Sequence, residues 1–201
     1  MTSLFSTVRL MKNIYDCMRR ALLPQSSWMR FVFGESMAEN NIQDRGQKIL
    51  LTGFKGKNNS SGKLVQAISE NDLLLLTNSF DGVKNDIEGI DGDFDFLIMF
   101  GCDKNLKDSV RIERFAQKNG EKIASVLDLE NVSKCLAAAG INNFISDTSG
   151  HYLCNEAYWY ALQRFNGKAV FIHIPTIKNL DDSFITRMNK FMSYERGEKW
   201  N

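Results

Sequence analysis

From Lys48 onward, short apolar runs alternate with segments of helical periodicity, and this alternation restricts the fold more than any other feature. Lys48 to Phe54, Leu73-Leu74-Leu75-Leu76-Thr77, Phe94 to Phe100 and Ala169 to Ile174 are each too short for a buried helix. Their near-continuous apolar character marks strands covered on both faces, the signature of a mostly parallel sheet between helical layers. Helices are expected at Lys63 to Glu70, around Val83, Ile87 and Ile90, and at Leu129 to Ala139 with Gly140 as its stop. Two more are expected at Leu153 to Phe165, closed by Asn166-Gly167, and at Leu180 to Tyr194, with Phe184, Met188, Phe191 and Met192 facing inward. Val110 to Phe115 alternates and reads as a strand near an edge, and Asn143 to Ser146 is a further short strand. The expected fold class is α/β, a three-layer α/β/α domain over residues 48–201.

Residues 1–47 precede that rhythm as an N-terminal helical extension. Leu4, Val8, Met11, Tyr15 and Met18 form one apolar stripe beside Arg9, Lys12, Arg19 and Arg20, and Pro24 ends the helix. Such a segment reads as a transit peptide, a membrane-surface helix, or a helix packed on its own domain or another subunit. The narrow stripe favours packing. Trp28 to Phe33 is apolar, and Ala38 to Gln47 is polar and linker-like.

Several function classes fall away on composition. A net charge of +1 over 201 residues gives no electrostatic footprint for nucleic acid. No apolar run approaches the ~20 residues of a membrane span, so no obligatory membrane partner is expected. The 4 cysteines (Cys17, Cys102, Cys135, Cys154) form no Cys-x-x-Cys pair, and 2 histidines do not supply the usual zinc arrangements. Neither a metal nor another cofactor is expected, and reduced thiols fit a cytoplasmic protein.

Chemistry concentrates in Ser146-Asp147-Thr148-Ser149-Gly150-His151-Tyr152-Leu153-Cys154-Asn155, a loop entering a helix with a cysteine in its first turn. There the helix dipole favours a thiolate. His173 lies at the end of the following strand, within Phe171-Ile172-His173-Ile174-Pro175, as a possible base for that thiol. Taken singly, Cys154 reads better as a small buried hydrophobe, His173 as a satisfied core residue and Glu113 as a solvated strand position; the case rests on the three occurring together. Ligands in parallel sheets bind beyond the carboxyl ends of strands. Phe54, Gly101, Ser146 and His173 all fall at or near such ends.

Four blocks, Ile49 to Phe54, Ile112-Glu113-Arg114-Phe115-Ala116, Ser146 to Asn155 and Phe171 to Pro175, occur in an order that resembles pyroglutamyl peptidase I, the pyrrolidone-carboxylate peptidase family of cysteine peptidases. The third block is similar to that family's Ser-x-x-Ala-Gly-x-x-x-Cys-Asn motif, with Ser149 in place of alanine. The fourth is similar to its Phe-Ile-His-Val-Pro. The resemblance implies a hydrolase acting on a small peptide with an N-terminal pyroglutamyl group or a related small amide. Cys154 would be its nucleophile, His173 its base and then acid, and Glu113 the group orienting His173. It places Phe54 beside the substrate and makes a homo-oligomer plausible. The family's Pro-Phe-Gly-Gly after Thr-Gly-Phe is replaced here by Lys55-Gly56-Lys57-Asn58, and its long excursion after the acid block is cut back. Those departures, with the extension, favour an alternative: an inactive binding or assembly protein on the same scaffold.

Overall fold

A computed structural model describes residues 48–69, 72–150 and 152–196. The N-terminal extension expected over 1–47 lies outside the described residues. The strands are β1 (Ile49–Phe54), β2 (Leu73–Leu76), β3 (Phe96–Cys102), β4 (Ser109–Glu113), β5 (Phe115–Lys118), β6 (Glu121–Ala124), β7 (Asn142–Ser146) and β8 (Ala169–Ile174). The helices are α1 (Ser60–Ile68), α2 (Phe80–Glu88), α3 (Leu129–Ala138), α4 (Leu153–Arg164) and α5 (Asp182–Arg196).

Six strands form one sheet in the order β2-β1-β3-β8-β4-β7. Every neighbouring pair is parallel except β8 and β4. β1, β3 and β8 have partners on both sides and helices above and below, which is why their sequences are apolar almost throughout. Side chains alternate between two cores. Leu51, Ile98, Ile112 and Ile172 face α1, α3 and α5, where Leu64, Leu136, Met188 and Phe191 are buried. Leu50, Leu97, Met99 and Phe171 face α2 and α4, where Ile87, Ala157, Tyr158 and Leu162 are buried. The expected α/β/α layering is the one observed.

Several boundaries differ from the sequence expectation for physical reasons. α1 begins at Ser60, three positions early, because the Asn59 side chain accepts a hydrogen bond from Ser61 N–H and caps the helix there. β3 runs past Gly101 to Cys102 because β8 lies alongside and pairs Gly101 with His173 and Cys102 with Ile174. β4 is interior, flanked by β8 and β7, so its alternating pattern marks a polar site on one face rather than a sheet edge. The edge is β7, which exposes Phe144. β4 and β7 also run opposite to β8, so Ser146 and Glu113 end strands that point away from the carboxyl ends of β1 and β3. The sequence expectation contained no β5–β6 hairpin. Its two-residue turn is Asn119-Gly120, with φ of 51° and 84°. Positive φ at both positions is what the hairpin-matched turn demands and what Asn-Gly supplies most readily.

Candidate active site

The α2/α4 side of the sheet carries the candidate site. Residues two apart on a strand share a face, so Phe171 and His173 on β8 lie on the same side as Arg111 and Glu113 on β4. The antiparallel register sets Arg111 opposite His173 and Glu113 opposite Phe171. Glu113 reaches diagonally to His173, Oε1 lying 2.8 Å from Nδ1. Glu113 is only 5% exposed, so it is no solvated strand position. A buried carboxylate needs partners, and Oε1 accepts a second hydrogen bond from Arg111 Nε at 2.8 Å. With Nδ1–H donated to Glu113, Nε2 of His173 is left as the proton acceptor.

Cys154 is the second residue of α4, and its thiol packs over Gly101 of β3, the register partner of His173. A methyl group on Gly101 would lie 2.6 Å from the Phe171 ring and 3.0 Å from Cys154 Sγ. Glycine is required there by close packing. Cys154, His173 and Glu113 line one cavity of about 480 Å³. The structure therefore brings together all three residues that the sequence pattern singled out. No hydrogen bond joins Cys154 Sγ to His173, so the thiol and imidazole share the cavity without the contact that proton transfer would use.

The expected thiolate is corrected. Burial pushes the Cys154 thiol up to about 12, with smaller upward contributions from Cys102, Glu113 and Asp103 and a downward one from Arg111. A desolvated thiol beside carboxylates favours its neutral form. The α4 N-terminus is nonetheless open: its N-cap residue, Tyr152, makes no side-chain capping bond. The first N–H groups of a helix lack intrahelical partners, and here they stand next to the thiol.

Phe54 is placed elsewhere. It is 3% exposed and packs in the core beneath α2 and α4, away from the cavity wall. Aromatic side chains lining the cavity are instead Phe115, Tyr152, Tyr158 and Phe171, of which Tyr152 is exposed. The tip following β3 contributes Asp103, Lys104 and Asn105. Asn155 explains the last letter of the Cys-Asn motif. Its side chain accepts from Gln117 N–H at 2.9 Å and donates to Gln117 C=O at 2.7 Å, tying the start of α4 to β5. Tyr158 donates to the carbonyls of Glu113 and Ala169, anchoring β4 and β8 beneath the site. Arg111 and Asp103 were missed by sequence reasoning. Arg111 was legible in principle, since it sits two residues before Glu113 on the same strand. Asp103 gave no such signal. Among the described residues, no group of three or more His, Cys, Asp or Glu side chains could hold a metal ion. No described helix is long and apolar enough to cross a membrane.

The described fold is that of the pyrrolidone carboxyl peptidases. A variant of the enzyme from Pyrococcus furiosus superposes with a TM-score of 0.59 at 19% identity, covering 74% of this chain and 98% of that one. The pyroglutamyl peptidase I of Bacillus amyloliquefaciens gives a TM-score of 0.60 at 16% identity, with 75% and 96% covered. In sequence, the chain is similar to pyroglutamyl-peptidase 1 of Rattus norvegicus, 34% identical over 59 residues, and to that of Homo sapiens, 32% identical over 59 residues. Those matches span 28% of this chain and 28% of each relative's length. No protein-family model matches the chain. The sequence and structural likenesses agree, and they support a divergent relative of the pyrrolidone carboxyl peptidases.

Proposed function

We propose that this protein is a cytoplasmic cysteine peptidase of pyroglutamyl-peptidase type, with Cys154, His173 and Glu113 as its triad. The observation that carries the reading is the 2.8 Å Glu113–His173 contact in the same cavity as a thiol seated over Gly101. Because burial keeps the thiol neutral at rest, His173 Nε2 takes its proton as Sγ attacks the acyl carbon. The imidazolium, held by Glu113, returns that proton to the leaving amine, and water then hydrolyses the thioester. The uncapped first turn of α4 offers N–H groups to the oxyanion.

The substrate is a small peptide carrying an N-terminal pyroglutamyl group or a related small amide. Phe115 and Tyr152 supply apolar surface at the cavity, and Lys104 and Asn105 make the remaining wall more polar than a lactam pocket needs. Hydrolysis of a pyroglutamyl-coupled fluorogenic amide tests the reading, with Cys154→Ala as the control. Turnover by the wild type that the substitution abolishes supports it. An inert wild type, or a variant that matches it, removes the peptidase.

A second reading, a non-enzymatic binding or assembly protein, draws on the raised thiol and the missing Cys154–His173 hydrogen bond. It requires that His173→Ala leave the iodoacetamide reactivity of Cys154 unchanged. A slowed reaction in that variant excludes it.

A further inference from the structure

The site holds a second ionic layer that the triad does not use. Arg111 sits among three partners: Nη1 donates to Asp103 Oδ2 at 2.6 Å, Nε donates to Glu113 Oε1 at 2.8 Å, and Nη2 lies 3.3 Å from His173 Nδ1. Asp103 is 11% and Arg111 27% exposed at the side chain, so the layer is partly shielded from water. A guanidinium so placed has two effects. It fixes the Glu113 carboxylate with the planar, directional donors that a lysine ammonium lacks. It also sets two N–H donors, Arg111 Nη2–H and His173 Nδ1–H, against one another, since a proton on Nδ1 leaves Nη2 no acceptor there.

We propose that Arg111 is a positioning residue, clamped by Asp103, that orients Glu113 toward His173 and offsets the carboxylate charge felt by the Cys154 thiol. This rests on the triad assigned above. The groups that set the thiol's field come from every element around it. Cys102 and Asp103 at the end of β3 and Glu113 on β4 oppose ionisation, and Arg111 promotes it. Lys104 and His173 line the same cavity, with Tyr152 from the N-cap of the Cys154 helix and Tyr158 from within it. Arg111 and Asp103 thus form a pair with opposite signs of action on one thiol. A purely structural bridge between β4 and the β3 end would give both substitutions the same sign.

The test is the rate of Cys154 alkylation by iodoacetamide between pH 7 and 9.5, followed by peptide mass spectrometry so that the other cysteines do not interfere. Below the thiol's midpoint, a shift of one pH unit is a tenfold change in thiolate. Arg111→Met is expected to slow alkylation at pH 8 by about fivefold to tenfold, and Asp103→Asn to accelerate it by about the same factor. Arg111→Lys keeps the charge and is expected to stay within about threefold of the wild type in alkylation. It loses the Nε–H donor that holds Glu113, so turnover should fall while the pH profile stays in place. Unchanged rates in both Arg111→Met and Asp103→Asn, or shifts in the same direction, overturn the proposal. If Arg111→Met does not fold, the near-isosteric Asp103→Asn decides alone: acceleration supports the proposal, and no change overturns it. His173→Ala separates the two assignments. A Cys154 rate unaffected by His173→Ala removes the triad. A responsive His173 with unresponsive Arg111 and Asp103 removes only the positioning layer.

Discussion

Two helices start beside the sheet in opposite conditions. At α1, Asn59 caps the first turn, and Ser60, Ser61 and Gly62 are all buried. A methyl group on Gly53 would lie 2.5 Å from Ser61 O, and one on Gly62 would lie 2.3 Å from Phe54 O. Strand and helix are in backbone contact, and no ligand fits between them. At α4, Tyr152 leaves the first turn without a side-chain cap, and a cavity of about 480 Å³ stands in front of it. One helix start is packed shut by glycines. The other is held open by a loop and by the Asn155–Gln117 tie to β5. The same motif, a strand followed by a helix, therefore serves stability in one place and chemistry in the other.

The comparison can be broken most forcefully at its glycines. Gly101→Ala would push the Phe171 ring and the Cys154 thiol apart, so turnover should fall about a hundredfold, the loss expected for ~1 Å of misplacement. Melting temperature, followed by circular dichroism, should change much less than turnover. Gly53→Ala reverses that balance. Its clash is with backbone atoms that cannot yield, so it should cost about 3 kcal/mol in urea denaturation. The surviving folded fraction should alkylate Cys154 at the wild-type rate. A Gly53→Ala protein that is stable but unreactive would show that the two helix starts are coupled.

Smaller effects sharpen the contrast. The Cys154 thiol is raised from 9.0 to about 12 by burial. Between those values the unfolded chain releases a proton that the folded chain keeps. The thiol's contribution is therefore fully present below pH 9 and is lost as pH rises toward 12. The slope is at most about 1.4 kcal/mol per pH unit. The stability of Cys154→Ser relative to the wild type should rise with that slope across the window, and a flat difference would refute it. Asn59→Ala should cost about 1 kcal/mol by removing the α1 cap. Tyr152→Asp should instead gain about 0.5 kcal/mol by capping α4, and it should slow turnover by occupying the N–H groups assigned to the oxyanion. Stabilisation without loss of turnover would place the oxyanion elsewhere.

Much of this architecture is readable from residues alone. The apolar runs of β1, β3 and β8 and the inward face of α5 each appear where periodicity places them, because burial on both faces leaves no freedom in residue type. Cys154, His173 and Glu113 were legible as letters of a pattern, and the structure gathers them in one cavity. Phe54 was not, because a strand-end aromatic reads alike whether it faces a pocket or a core. The Asn119-Gly120 hairpin was missed despite its turn chemistry, since β5 and β6 are four residues each and carry almost no periodicity.

The sequence by itself determined the layered α/β fold and the three residue types at the site, because hydrophobic period and motif spacing are local properties of the chain. Tertiary structure alone decided that β4 is interior and antiparallel to β8. That register carries Arg111, 62 positions away in the chain, and Glu113 to His173. It also decided that the thiol is raised rather than lowered. A helix start favours a thiolate, and here the half-burial of Cys154 against the core that holds Phe171 and Tyr158 pushes the thiol the other way.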